Sequence, residues 1–253
     1  MKRGFTATRS QTAGEARLRL REFSSRRNAE TAGWFFKTGD GCYGADDRFV
    51  GVRVPDTRVV AREFRDLSLL QIRSLLSSKI HEERLLALIV LVNRARKSQP
   101  SDLQMYSGFY LRNLDHVNNW DLVDVSAEHL LGAYLFTLSN ASAEKVLSKL
   151  ARSRDLWRRR VSIIATFYFI RQGSFALTCK IADLLLADEE DLIHKAVGWM
   201  LREVGNRDLG AEERFLRSRY KKMPRTMLRY AIEKFPEPLR RSYLDAGGRM
   251  RRR

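Results

Sequence analysis

The heptapeptide Asn118-Asn119-Trp120-Asp121-Leu122-Val123-Asp124 sets an indole and a carboxylate four residues apart. On a helix that spacing places both on one face, one turn above the other. A carboxylate beside an aromatic surface can be a catalytic pair. The same residues also make an ordinary helix start. Asn118, Asn119 or Asp121 would then be the N-cap, Trp120 a staple, and Asp124 a first-turn acid favoured by the helix dipole.

Other chemistries find little support. The four histidines, His81, His116, His129 and His194, sit on separate predicted helices, and no Gly-x-Ser-x-Gly elbow or HExxH pair occurs. No P-loop is present. Gly39, Gly41 and Gly44 have GxGxxG spacing, but no strand precedes them and no helix opens at the third, so a dinucleotide site is excluded. Cys42 and Cys179 stand far apart, outside any CxxC, which excludes a disulfide scaffold and a cysteine-type zinc site. No metal or cofactor is expected. What remains is carboxylate, arginine and tryptophan: the acids named above, the triplet Arg158-Arg159-Arg160, and Trp34, Trp120, Trp157 and Trp199.

Lysine and arginine total 47 against 30 acids, a net charge of +17. An excess of that size favours a polyanion through counterion release, so nucleic acid leads the partner classes. An anionic membrane surface is the second class, but every amphipathic segment is better used as core. The longest apolar run, Leu85 to Val92, is too short for a bilayer, and no hydrophobic region follows the basic start of the chain. A cytoplasmic location is expected.

The positioning elements read as helices almost throughout. Residues 1–12 form an expected disordered basic arm, 13–239 one helical domain, and 240–253 a basic tail. Gly33 to Arg58 reads as a glycine-rich loop with Pro55 opening the helix after it. Helices are predicted over Asp56 to Arg65, Leu69 to Leu76, His81 to Lys97 and Ser101 to His116, the third apolar on all sides and so buried. Three later helices open with Asp-Leu at 121, 155 and 191, intervals of 34 and 36 residues, with shorter helices at Ser142 to Ser153 and Ser174 to Ala187. Asp208 to Lys222 and Pro224 to Phe235 give two more. Recurrence at that interval predicts an all-α fold, a right-handed α-solenoid of stacked antiparallel helix pairs with a concave basic groove. Asp124, Arg160 and Trp199 lie 36 and 39 residues apart, about one repeat each, which would bring them to equivalent places on that face.

Five motifs carry a family resemblance: Phe35-Phe36-Lys37-Thr38-Gly39 with Phe49-Val50-Gly51-Val52-Arg53-Val54-Pro55; Trp120-Asp121-Leu122-Val123-Asp124; Leu156-Trp157-Arg158-Arg159-Arg160; His194 to Glu203; and Met223 to Tyr230. In this order they resemble the DNA alkylation repair enzymes of the AlkD type, DNA glycosylases built from HEAT-like repeats, over nearly the whole chain. The resemblance implies excision of cationic N3- and N7-alkylated purines from double-stranded DNA, and because one elongated basic groove needs no partner subunit, a monomer is expected. Asp124 would be the catalytic carboxylate, with Trp120 and Trp199 flanking the deoxyribose and Asp121 left as the structural cap. Arg160 would hold the phosphate backbone and Phe35 the N-terminal end of the groove, without the hydroxyl that tyrosine supplies in relatives. The other basic residues of the motifs, Arg158, Arg159, Lys37, Arg53, Lys195 and Arg202, are the further expected DNA contacts. The competing reading is a non-catalytic helical-repeat scaffold that binds nucleic acid or protein.

Overall fold

A computed structural model describes residues 11–248, whose regular elements are all helices, with a single parallel bridge between Arg48 and Ile80. The all-α class is as the sequence predicts. Two compact units divide the chain. The first runs to Ser98 and takes in Asp115–Leu122, and the second comprises Gln99–Leu114 and the chain from Val123 onward. Among the described residues no helix is long and apolar enough to cross a membrane.

In the first unit, α1 (Ala13–Arg21) opens on a capping box in which the Thr12 hydroxyl accepts from the Glu15 amide and the Glu15 carboxylate accepts from the Thr12 amide. Next come α2 (Arg26–Phe35), capped by Ser25, and α3 (Val54–Glu63), with Pro55 in its first turn where a missing N–H costs nothing. They are followed by α4 (Leu69–Leu76) and α5 (His81–Ala95). Every side chain of α5 from Leu85 to Val92 is buried, and α3 and α4 pack on it while α1 covers both. Each large apolar side chain removed from water there contributes roughly 1.5–3 kcal/mol before conformational entropy is set against it.

The sequence leaves α2 unpredicted and begins the loop at Gly33, whereas the helix continues to Phe35 and the loop occupies 36–53. None of the residues of α2 is buried, so it lacks the apolar stripe by which a helix is recognised. The far end of the loop is tied to α5. Oε1 of Glu82 accepts from the backbone amides of Val50, Gly51 and Val52 at 3.1, 2.7 and 3.3 Å. Gly51 has φ of 82°, and a Cβ added to it would lie 2.0 Å from the Ser25 carbonyl oxygen. Gly51→Ala combines left-handed strain with a backbone clash, so a loss of at least about 3 kcal/mol in unfolding free energy is expected. Denaturant titration checks this, and a change below roughly 0.5 kcal/mol, the scale of an ordinary surface substitution, would contradict it.

The second unit begins with α6 (Leu103–Arg112) and receives the end of α7 (Trp120–Ala127), which starts in the first. The α7 helix runs directly into a π-helical segment, Glu128–Gly132, and then α8 (Ala133–Phe136). After these come α9 (Asn140–Ala151), α10 (Leu156–Ile164), α11 (Thr166–Arg171), α12 (Ala176–Leu184), α13 (Asp191–Gly205), α14 (Leu209–Arg217), α15 (Arg225–Ala231) and α16 (Glu237–Gly248). Among these helices α10 packs on α9 and α13, and α13 packs on α14 and α15. At Gly198 the approach of α13 to α15 is close enough that a Cβ would meet the Met227 carbonyl oxygen at 2.5 Å.

The shared Asp-Leu pairs do not occupy one register. Asp155 caps α10 through the Arg158 amide at 2.8 Å, but Asp191 is the first residue of α13 and Asp121 the second of α7. Of the expected basic arm over 1–12, only Gln11 and Thr12 fall within the described residues, and both are bonded, Gln11 to the Glu63 carbonyl and the Asp66 amide. Of the expected tail over 240–253, the last five residues lie outside them, while 240–248 belong to α16. That helix is anchored by buried Tyr243, set edge-on against Tyr220 and Phe235.

Candidate active site

Two groups of side chains contain the residues singled out by the sequence, one in each unit.

In the first unit, His81 opens α5 with 2% of its side chain exposed. Its Nδ1 lies 3.0 Å from Asp47 Oδ2 and its Nε2 lies 2.8 Å from Asp121 Oδ2. Asn119 Nδ2 donates to the same Asp47 oxygen at 2.7 Å, and Arg84 pairs with the other. Burial alone would lower the imidazole pKa, but the bonds to Asp121 and Asp47 raise it to about 9. Burial raises the Asp47 carboxyl in turn, and the His81 bond, the Arg84 charge and the Asn119 bond outweigh that and hold it below the usual carboxylate range. Only a doubly protonated ring donates to both carboxylates, so His81 is an imidazolium.

Rings stack around it. His81 lies under Phe49 at 4.7 Å, Phe49 on Phe36 at 5.1 Å and Phe36 on Trp120 at 5.3 Å, while Phe35 meets Trp120 edge-on at 5.8 Å. Such contacts fix ring planes and contribute on the order of 0.5–1.5 kcal/mol each beyond the area they bury. Phe35 and Trp120, distant in sequence, thus share one cluster. Beside it opens a cavity of about 450 Å³, lined chiefly by α2, the end of the loop and the start of α5.

One assignment changes here. Asp121 is not the helix cap, because it sits inside the first turn of α7 and its carboxylate accepts from His81. Asn119 stands immediately before the helix, and its Oδ1 accepts from the Trp120 amide at 2.8 Å.

In the second unit, Asp124 and Arg160 form a two-point ion pair. Arg160 Nε reaches Asp124 Oδ1 at 2.9 Å and Nη2 reaches Oδ2 at 2.8 Å, while Nη1 donates to the Leu192 carbonyl. The arginine is buried and the aspartate half-buried. A planar fork matched to a carboxylate holds both oxygens in one plane. Three helices, α7, α10 and α13, therefore meet at one guanidinium. Trp199 is on the last of them, half-buried, edge-on to Phe167 at 5.8 Å and bonded through Nε1 to Glu203 at 3.3 Å.

The basic candidates divide by engagement. Arg159 pairs with Asp188 at 2.7 Å and caps the carbonyls of Ser153 and Arg154, while Arg202 pairs with Glu233 and Lys195 with Asp191. Arg158 is half-buried on α10. In the first unit, Lys37 and Arg53 are exposed, Lys37 in the left-handed region at φ 54° with its Nζ over Tyr43, and Arg53 near Asp56 at the mouth of the cavity. The sequence missed Phe36, Phe49, Asp47 and the clamped His81. The Phe35-Phe36 doublet and a histidine opening the most apolar helix were the available signals.

A family model described as "DNA alkylation repair enzyme" matches residues 16–235. No curated protein matches the chain in sequence. Among solved structures, the chain is similar to a predicted DNA alkylation repair enzyme from Enterococcus faecalis, with a TM-score of 0.66 and 15% identity over 85% of this chain and 97% of that one. It is also similar to smu.31 from Streptococcus mutans UA159, with a TM-score of 0.52 and 15% identity over 89% and 99%. At such identities the structures speak for the fold, and the family model, which spans most of the chain, for its membership. The chain belongs to the DNA alkylation repair enzyme family.

Proposed function

We propose that this protein is a DNA glycosylase that hydrolyses the N-glycosidic bond of cationic N3- and N7-alkylpurines in duplex DNA. The observation that carries the reading is the Asp124 carboxylate, held at two points by Arg160 on the helix that Trp120 opens. An alkylated purine is already a cation and a good leaving group, so no strong general acid is required. The site must stabilise an oxocarbenium-like sugar and place a water, and a carboxylate fixed near the anomeric carbon does both. Indole faces such as Trp120 and Trp199 add attraction for developing positive charge and exclude bulk water. Arg160 acts by orienting Asp124, and its remaining N–H groups serve the phosphate role. Lys37, Arg53, Arg158 and the charge of +17 supply the attraction for the backbone.

Incubation of the purified protein with N-methylated duplex DNA, scoring freed bases by mass spectrometry, is expected to release 3- and 7-methylpurines and leave abasic sites. Tight DNA binding with no base released would instead favour the non-catalytic scaffold.

A further inference from the structure

The indole of Trp199 is held from several sides, and the groups that hold it take no part in the chemistry above. Its Nε1 donates to Glu203 Oε1 at 3.3 Å, one helical turn further along α13. The other oxygen of Glu203 accepts from Arg207 at 3.0 Å, and the same Arg207 nitrogen donates to the Glu203 carbonyl at 2.9 Å. The Arg207 guanidinium lies over the ring of Phe167 at 5.8 Å, and Phe167 meets the indole in a T-shaped contact at 5.8 Å. Trp199, Glu203, Arg207 and Phe167 thus close a ring of contacts, in which a charge-assisted bond fixes the indole at its N–H and an aromatic neighbour sets its plane.

That ring is tied to the helix that carries Asp124. A second guanidinium, Arg171, lies over Phe167 at 4.6 Å and pairs with Glu128 at 2.8 Å. Glu128 is the first residue of the π-helical segment into which α7 runs, four residues past Asp124. Arg160 supplies the other tie, bonding both Asp124 and the Leu192 carbonyl on α13. The α13 helix is therefore referred to α7 twice, through Arg160 at Leu192 and through Phe167 at Trp199. An indole and a carboxylate stand four residues apart both at Trp120 with Asp124 and at Trp199 with Glu203, but the carboxylates are differently committed. Asp124 is bonded to an arginine from another helix, whereas Glu203 spends one oxygen on its own indole.

We infer that Glu203, backed by Arg207 and Phe167, is a positioning residue for base release: it fixes the plane of Trp199 so that one indole face is presented to the sugar of the damaged nucleotide. An untethered indole must be oriented in the transition state, and a misplacement of about 1 Å costs up to about 10²-fold in rate. The effect on rate rests on the glycosylase reading, and the hold on the indole does not.

Glu203→Ala and Glu203→Gln separate positioning from charge, because both remove the same charge and alter the attraction for DNA equally. Only glutamine keeps an oxygen that can accept from the indole N–H. In indole N–H spectra of the full chain, the Trp199 resonance, identified by its loss in Trp199→Phe, is expected to move and to exchange faster with water in Glu203→Ala and to return toward its wild-type position in Glu203→Gln. Single-turnover release of 7-methylpurine should fall about tenfold in Glu203→Ala and recover most of that loss in Glu203→Gln, with the same duplex affinity in both. Equal rates in the two variants, or an unaltered Trp199 resonance in Glu203→Ala, would overturn the inference. A wild type that releases no base would count against the glycosylase reading alone, and the resonance would still decide whether Glu203 holds the indole.

Discussion

Replacement of Asp124 by asparagine is expected to slow base release from alkylated duplex DNA by about 10²- to 10⁴-fold, the usual span for removal of a positioned base or charge. Duplex affinity should not fall, because a carboxylate contributes no attraction for phosphate. Asparagine is the informative change because its amide oxygen still accepts from Arg160, whose other N–H then faces an NH₂ group. Asp124→Ala would instead leave a buried guanidinium unpaired, a cost of about 3–5 kcal/mol that confuses loss of chemistry with loss of fold. Arg160→Lys makes the companion variant, since it keeps the charge and discards the fork, so the carboxylate loses its fixed plane. It should lower the single-turnover rate more than it lowers DNA affinity. An Asp124→Asn protein with a wild-type melting temperature and a wild-type rate of base release would remove Asp124 from the mechanism.

The second large effect concerns pH. The imidazole of His81, ordinarily near 6.5, is raised to about 9 in the fold by its two carboxylates. The clamp therefore stabilises the folded chain fully below about pH 6.5, and its contribution disappears as pH rises toward 9. A shift of that size corresponds to on the order of 3 kcal/mol. Asp47, held below its ordinary range, gives the same network an acid limit, with stability lost as pH falls through the carboxylate region. Glu212 in the second unit also titrates on the alkaline side: burial raises its pKa to about 9 against the opposing charge of Arg202, and it favours the folded state less as pH climbs from the ordinary glutamate range. The two contributions separate by position on the pH axis, because of the two only Glu212 changes between about pH 5 and 6.5. Thermal melts of wild type and His81→Gln between pH 5 and 9.5 should show a steep decline above 6.5 in the former and a shallower one, due to Glu212, in the latter. Identical slopes above 6.5 would refute the clamp.

How far the site is legible in sequence follows from the range of the interactions involved. The helical class is local information, carried by periodicity in α4 and α5 and by the caps at Ser68 and Asp155. Trp120 and Asp124 announce themselves because their relation is also local, one helical turn. The pairing of Asp124 with Arg160 spans 36 residues and is foreshadowed only by the repeat interval. The His81 network has no such period behind it. Asp47 comes from an irregular loop, His81 from a helix start and Asn119 from a connection, and nothing in their spacing marks them as neighbours. Asp121 was misread for a related reason: a carboxylate near a helix start suits capping so well that a partner from α5 had no signal against it. The α2 helix and the helix that carries Tyr243 escaped because the one buries no side chain and the other follows Pro236 and carries Pro238 and two arginines in its first turns.

The π-helical segment after α7 has a bearing on how the repeats can be compared. Each π-type bond closes over one residue more than an α-helical bond, so side chains downstream are displaced by about 100° from where a continuous α-helix would put them. Ala133 and Leu135, both buried, lie directly after that displacement. A chimaera that exchanged α7 for α10, or an alignment that laid one repeat on the other without a gap, would therefore need one additional residue between positions 127 and 133, or the apolar side of α8 would turn toward water.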